Sequence, residues 1–297
     1  MIKQHKPAGI VPVTIIIPAH NEQDGIEAVI AGIRENFIVP CGRGDANTEI
    51  IVVDDGSTDL TAGRARQTGA TVIHHPGNLG YGAAIKTALR AAAHETIILT
   101  DGDGTYPARH MESLLRALET CDMAVGMRTG SRAHIPAARR PAKWLLQKFA
   151  VCLAEKPIPD INSGLRAFLK SDAMRFIGLY PSGFSFTTTI TLAFLSSDLL
   201  VDYIPIDYHP RVGRSKIRPL RDTRNLFLTV LRCTLFFNPL RVCIPIALVL
   251  FTIAFFMLLF VRDSHGNMLD GAMSVLLISA VQTLFIGFMA DIMSRMR

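Results

Sequence analysis

Two stretches near the C-terminus restrict the folding of this chain more than any others. Val242 to Val261 (VCIPIALVLFTIAFFMLLFV) is twenty residues without a charge, and Gly271 to Ala290 (GAMSVLLISAVQTLFIGFMA) is twenty more, flanked by Asp270 and Asp291. At a rise of ~1.5 Å per residue each reaches roughly 30 Å as a helix, the thickness of a bilayer's hydrocarbon core. Two such runs side by side are poorly explained as buried helices of a soluble core. The pattern predicts a transmembrane hairpin with spans at about 242–261 and 271–290. The link from Arg262 to Asp270 carries one Arg, whereas Arg211, Arg214, Lys216, Arg218, Arg221, Arg224, Arg232 and Arg241 crowd ahead of the first run, and Arg295 and Arg297 follow the second. This bias puts both chain ends in the cytoplasm and the short hairpin outside. The opening residues, MIKQHKPAGIVPVT, lack the apolar segment of a secretory signal.

The same basic cluster accounts for most of the net charge of +6. Aromatic residues are not interleaved with it, so it suits an anionic membrane face or a phosphorylated substrate and argues against nucleic acid. The five cysteines (41, 121, 152, 233 and 243) form no Cys-x-x-Cys pair and are expected to be reduced thiols.

Ahead of the basic cluster the chain alternates short apolar runs with longer amphipathic ones. Strands are expected at 13–17 (ended by Pro18), 50–53, 71–74 and 96–100, with helices from about Asn21 to Asn36, after the Ser57–Asp59 cap, and from Gly80 to Ala93. Alternation of this kind predicts a parallel α/β sheet, whose ligands sit beyond the carboxyl ends of the strands. Beyond residue 130 the pattern becomes irregular. Residues 139–156 and 221–241 mix Arg and Lys with large apolar side chains, as helices lying at a membrane surface do; packing against the sheet is the alternative. The expected organisation is a cytosolic catalytic domain over 1–220, a juxtamembrane amphipathic helix over 221–241 and the hairpin over 242–297.

Two strand ends carry an unusual density of negative charge. VVDDGSTD (52–59) closes on Asp54 and Asp55, and IILTDGDG (97–104) on Asp101 and Asp103. Carboxylates gathered at the ends of buried strands need cations or hydrogen-bond donors. An Asp-x-Asp pair suits Mg²⁺ or Mn²⁺, which take one or two carboxylates and complete their shell with substrate phosphates and water. Asp55 suits a ribose hydroxyl or a base N–H. His74 and His75 have no Cys or third His nearby to make a zinc site, and Gly77–Gly82 follows the third strand without the spacing of a dinucleotide-binding loop.

Six motifs then stand in order: IIIPAHNE (15–22), VVDDGSTD (52–59), NLGYGAAIKTAL (78–89), DGDGTYP (101–107), DINSGLRAF (160–168) and IDYHPRVGRSKI (206–217). Together they resemble the family 2 glycosyltransferases of GT-A fold, and with the C-terminal runs they are similar to the polyprenyl-phosphate (dolichol-phosphate type) hexose synthases. The resemblance implies a GT-A, Rossmann-like sheet with a C-terminal two-helix transmembrane hairpin. It implies a metal-dependent, inverting transfer of a sugar from a nucleotide-diphosphate sugar to a polyprenyl monophosphate, with Mg²⁺ or Mn²⁺ as cofactor. A membrane-tethered family 2 transferase acting on a glycan or protein is the alternative. A processive polysaccharide synthase is disfavoured, because Trp144, the one Trp, stands in PAKW rather than in Gln-x-x-Arg-Trp.

By position, the resemblance places Pro18, His20 and Glu22 at the nucleoside, where Tyr is commoner than His20, together with Asp55. Asp101 and Asp103 bind the donor, and Asp103 binds the metal. Thr105 stands where many relatives carry a Gln ligand and, being shorter, would reach the metal directly or through a water. Arg128 binds phosphate, and Arg211 and Lys216 close over the diphosphate on a mobile loop. Ser163 contacts the lipid phosphate, with Arg166 as a second contact. The Thr187–Thr189 run, where several relatives have a Glu, is given no role. Partners are thus the donor, the polyprenyl phosphate and the bilayer, and a homo-oligomer is compatible with the sequence. An acceptor monoester phosphate, with its second pKa near ~6, is already anionic and needs no general base.

Overall fold

The computed structural model describes residues 11–44, 46–129, 157–183, 185–209, 219–260 and 266–295. The chain divides into two compact units, Met1–Thr229 and Val230–Arg297.

The first unit is built on a seven-stranded sheet in the order β3-β2-β1-β4-β6-β5-β7. Its strands are β1 (Val13–Ala19), β2 (Thr48–Asp54), β3 (Thr71–His74), β4 (Thr96–Leu99), β5 (Met123–Arg128), β6 (Arg166–Leu169) and β7 (Val201–Ile206). All of β1 and β4 is buried, as befits strands covered on both faces by helices. The covering helices are α1 (Ile26–Ile33), α2 (Thr61–Gln67), α3 (Tyr81–Ala91), α4 (Met111–Ala117), α5 (Lys170–Met174) and α6 (Phe186–Ser196). Ile26, Ile30 and Ile33 of α1 recur at helical spacing and are buried together with Ile15, Ile17 and Ile98 of the sheet.

Three features differ from the sequence expectation. First, the sheet is mixed. β1 to β4 pair in parallel, but β6 runs antiparallel to both β4 and β5. Arg166 therefore opens β6 directly opposite Leu99, the last residue of β4, and the loop ahead of β6 arrives at the rim that carries Asp101. Second, Pro18 does not end β1. The strand continues to Ala19, with Pro18 opposite Val53, because β4 has already ended opposite Ile16 and the proline has one neighbouring strand to satisfy rather than two. Third, α1 starts at Ile26 rather than near Asn21. The amides of Asn21, Glu22 and Gln23 are taken by Ser57 Oγ (2.9 Å), Thr61 Oγ1 (2.9 Å) and Asp59 Oδ2 (3.3 Å), which binds this stretch to the loop after β2. Residues 139–156 lie outside the described residues.

Helix α7 (Pro219–Phe237) leads from the first unit into the second, which contains α8 (Leu240–Phe260) and α9 (Gly266–Arg295). Both helices are long and apolar enough to cross a membrane. Their packing inverts that of a soluble core. Leu248, Phe255, Val275 and Phe285 point outward, while Ala247, Ala254 and Ala280 are buried. A Cβ at Gly287 would lie 2.7 Å from that of Cys243, so the absence of a side chain there lets the two helices approach closely. On α7, Phe227, Leu228 and Leu235 are exposed, while Val230, Cys233 and Thr234 are buried.

Candidate functional site

The acidic carboxyl end of β2 is met by donors from β3 and the neighbouring loops. Asp54 Oδ2 lies 2.6 Å from His74 Nδ1, and its Oδ1 accepts the Ser57 amide at 3.2 Å. Asp55, 4 % exposed, has Oδ1 2.8 Å from His75 Nδ1, and His75 Nε2 lies 3.0 Å from Thr87 Oγ1. The same carboxylate accepts the Leu79 amide on Oδ1 (2.9 Å) and the Gly80 amide on Oδ2 (2.8 Å), just ahead of α3. The two adjacent histidines are thus counterparts of the two adjacent aspartates. Asp55, expected at the nucleoside, ties β2 to β3 and α3, with three of its acceptor positions already in use. His20 belongs to the same corner, its Nδ1 donating to the Asp55 carbonyl at 2.9 Å. Pro18 is buried in β1, and Glu22 is half-buried in the turn before α1.

Asp101 and Asp103 lie on the turn after β4. The Thr105 hydroxyl and amide donate to Asp103 Oδ1 at 2.7 and 3.1 Å, so Thr105 orients a carboxylate that is 7 % exposed. Asp101 Oδ1 accepts the Tyr81 hydroxyl at 2.9 Å, and Tyr81 opens α3. Burial, together with the Asp101 carboxylate, pushes the Tyr81 phenol well above its ordinary range, so it stays a proton donor at any physiological pH. Across the rim, a Cβ at Gly164 would meet Asp101 Oδ2 at 2.5 Å. The Gly164 amide donates to the Tyr106 hydroxyl at 2.8 Å. Tyr106 is likewise raised by burial and by Asp101. Residues from three separate motifs therefore touch here: Tyr81 of NLGYG, Asp101 and Tyr106 of DGDGTYP, and Gly164 of DINSG.

Arg128, at the end of β5, points into the same loop. Its Nε and Nη2 donate to Asp160 Oδ2 and Oδ1 at 2.7 and 2.8 Å, a two-pronged pair. Its guanidinium also lies 5.3 Å from the centre of the Tyr208 ring, which meets Tyr106 edge-on at 5.4 Å. Burial alone would push the Asp160 carboxyl up, but Arg128 outweighs it and holds Asp160 below the usual carboxylate range. Arg128, expected on phosphate, thus already carries an internal anion. Just beyond Tyr208, the His209 amide donates to the Thr105 carbonyl at 3.0 Å, fastening the end of β7 to the acidic turn. Arg211 and Lys216, which follow, lie outside the described residues.

Ser163 and Arg166 are both fully buried. The Ser163 hydroxyl sits beside the Tyr106 phenol without closing a hydrogen bond of ordinary geometry. Arg166 gives Nε to the Ser163 carbonyl (2.8 Å), Nη2 to the Ile161 carbonyl (2.9 Å) and Nη1 to Thr191 Oγ1 (2.6 Å). Thr188, from the run given no role, lies 3.2 Å from Asn162 Oδ1. Arg166, expected as a second contact for the acceptor phosphate, is placed as an internal clamp. Its fork is spent on the loop backbone and a helix hydroxyl, and no part of it faces solvent.

Sequence reasoning passed over Tyr81, Tyr106, Asp160, Gly164 and Tyr208 as individuals, although each lies inside a quoted motif. The signal that could have singled out Asp160 is its charge, opposite to that of an expected phosphate-binding Arg.

Among the described residues no group of three or more His, Cys, Asp or Glu is gathered to hold a metal. A protein-only cage is thus not offered by those residues. The buried Asp103, oriented by Thr105, fits an oxygen-preferring divalent ion that takes its other ligands from phosphate and water.

Residues 14–176 match the family model described as Glycosyl transferase family 2, more than half of the 297-residue chain. Glycosyltransferase AglJ of Haloferax volcanii is 29 % identical over 237 residues, covering 77 % of this chain and 74 % of that protein. The dolichyl-phosphate hexose transferase of the same organism is 27 % identical over 207 residues (69 % and 86 % covered), and the undecaprenyl-phosphate mannosyltransferase of Micrococcus luteus is 26 % identical over 220 residues (69 % and 87 %). Among solved structures, glucosyl-3-phosphoglycerate synthase from Mycobacterium tuberculosis, in complex with Mn²⁺, uridine diphosphate and glucosyl-3-phosphoglycerate, superposes with a TM-score of 0.57 at 22 % identity, covering 78 % of this chain and 86 % of that one. At that identity the likeness is one of fold, and it makes the mixed sheet GT-A-like. With the family model spanning β1 through the end of β6, this chain belongs to glycosyl transferase family 2.

Proposed function

We infer that the protein is a membrane-anchored, metal-dependent, inverting glycosyltransferase that moves a sugar from a nucleotide-diphosphate sugar to a polyprenyl monophosphate. One observation carries the reading: an acidic turn (Asp101, Asp103) faces a buried serine–glycine turn (Ser163, Gly164), in a chain that ends in two apolar helices long enough for a bilayer. The names of the Haloferax and Micrococcus relatives support a lipid phosphate as acceptor.

In this reading Pro18, His20, Glu22 and Asp55 form the nucleoside corner, Asp55 mainly by shaping it. Asp103, with Thr105, would hold Mg²⁺ or Mn²⁺, which would act as a Lewis acid toward the leaving diphosphate. Arg128, Arg211 and Lys216 add positive charge to the same oxygens. Arg128 must exchange Asp160 for phosphate, or share its guanidinium between them. Asp101, held by Tyr81, orients the sugar.

An acceptor phosphate oxygen near Ser163 attacks the anomeric carbon. The new C–O bond forms as the bond to the diphosphate breaks, and the nucleoside diphosphate leaves with the electron pair. Attack opposite the leaving group inverts the anomeric centre. The acceptor is already an anion, so no side chain has to remove a proton.

The spans at about 242–261 and 271–290 anchor the protein, with α7 at the headgroups: its exposed Phe227, Leu228 and Leu235 face lipid, and Arg232, on the same face, lays its stem along them and carries its guanidinium to the headgroup phosphates. Both termini and the catalytic unit are cytoplasmic in this arrangement.

The test is an assay of membranes containing the protein with radiolabelled UDP- and GDP-sugars, Mg²⁺ or Mn²⁺, and polyprenyl phosphate. Label extracted into organic solvent is expected. Label confined to polymer, protein or a water-soluble product, or no label at all, would overturn the reading.

A further inference from the structure

Arg166 is a fully buried arginine whose partners are all neutral: two backbone carbonyls, the Thr191 hydroxyl and, at 3.8 Å, the Met123 sulfur. Among the described residues no carboxylate pairs with it. A guanidinium stays charged at any physiological pH; Asp160 is near enough to attract it but is itself paired with Arg128, so burying Arg166 remains unfavourable. An apolar side chain would fill the space between β6 and α6 more cheaply, so a clamp this expensive points to a demand for geometry rather than stability.

The carbonyls that Arg166 holds belong to Ile161 and Ser163, so its fork spans the turn that presents Ser163 and Gly164. That turn meets Asp101 closely enough that a Cβ at Gly164 would lie 2.5 Å from the carboxylate, and it is tied to Tyr106 through the Gly164 amide. Its far end is anchored on α6 by Thr191, whose own hydroxyl donates to the Thr187 carbonyl at 2.9 Å. A rigid path thus runs from α6 through Arg166 to the wall against which Asp101 rests.

We propose that Arg166 is a positioning residue for glycosyl transfer: it fixes the Ile161–Gly164 turn against Asp101, so that acceptor and sugar meet at bonding distance, without itself touching either. The inference rests on the function proposed above for the choice of acceptor, but its structural core does not. Arg166→Lys keeps the charge and loses the fork. Thr191→Val removes the helix anchor at a site that contacts no substrate.

Two measurements on the full-length protein in detergent or nanodiscs test it. In hydrogen exchange, peptides covering 160–165 should exchange faster in both variants while those of β1, β2 and β4 keep their wild-type rates. In turnover with polyprenyl phosphate, kcat per folded molecule should fall by about tenfold to a hundredfold in Arg166→Lys, the scale expected of a small misplacement of reactants, and less in Thr191→Val. Binding of UDP or GDP with Mn²⁺ should stay within about twofold, roughly a third of the decade of affinity that each 1.4 kcal/mol represents. Thr191→Ser should restore turnover. Unchanged exchange over 160–165, faster exchange across the whole sheet, or wild-type kcat would overturn the proposal. If the wild type moves no sugar to polyprenyl phosphate, the functional reading fails and the exchange data alone decide the role of Arg166.

Discussion

Gly164 rests against Asp101 so closely that even a methyl group at position 164 would come within 2.5 Å of the Asp101 Oδ2. The contact is between a turn and the movable end of a side chain, not between two stretches of backbone. Gly164→Ala should therefore leave the fold nearly intact, since the carboxylate can swing aside, yet displace Asp101 and reduce turnover by about a hundredfold. Thermal unfolding and kcat measured on one preparation separate the two effects. Gly82 is the contrasting case: its Cβ would meet the Pro181 carbonyl oxygen at 2.1 Å, backbone that cannot yield. Gly82→Ala should destabilise the protein by about 1–3 kcal/mol or more, read from chemical denaturation.

Tyr81 donates to Asp101 from a buried position. Tyr81→Phe removes that donor and little volume. Hydrogen bonds to charged groups contribute about 1.5–3 kcal/mol, so kcat/KM for the donor should fall by about tenfold to a hundredfold. Wild-type kinetics in the variant would show that Asp101 needs no such support.

Asp160 is held below its ordinary value of 3.8 by Arg128. A depressed carboxylate contributes stability that is fully present above its unfolded-state pKa and is lost as pH falls through the lower folded-state value. Denaturation midpoints of the wild type should therefore drop below about pH 4, and Asp160→Asn should lose that part of the acid dependence while being less stable at neutral pH. Equal midpoints for the two proteins at pH 7 would show that the pair contributes nothing to the resting fold.

Asp103 receives both donors of Thr105 on one oxygen. Asp103→Ala should abolish transfer and the Mn²⁺ requirement of UDP or GDP binding, with the circular-dichroism spectrum unchanged. Thr105→Val, which removes the orienting hydroxyl, should raise the Mn²⁺ concentration needed for half-maximal activity. Near-normal transfer by Asp103→Ala would refute the metal role.

Much of the catalytic half was legible in residue order. Runs such as VTIII and TIIL bury both faces, and only strands inside a two-sided sheet do that, so β1 to β4 and their acidic ends could be read directly. The reversal of β6 could not. RAFL is four residues with no feature that distinguishes parallel from antiparallel pairing. Similarly, Arg166 and Arg128 look alike in a sequence, each a cation beside a motif. One is sealed behind a turn and the other is paired with a carboxylate 32 residues away, and only three-dimensional placement separates them. The start of α1 was misjudged for a related reason: side chains from the 57–61 loop claim the amides that local pattern would assign to a helix.

The reversed strand has an evolutionary consequence. Because β5 and β6 are antiparallel neighbours, with Val125 opposite Arg166, the chain leaves the sheet after Arg128 and re-enters it on the same side. A chain that leaves and re-enters at one rim lets the connection between two strands change in length without shifting their registry. In the function proposed above, selection can therefore alter the acceptor side of the rim while the parallel strands β1, β2 and β4, which carry the donor side, stay as they are.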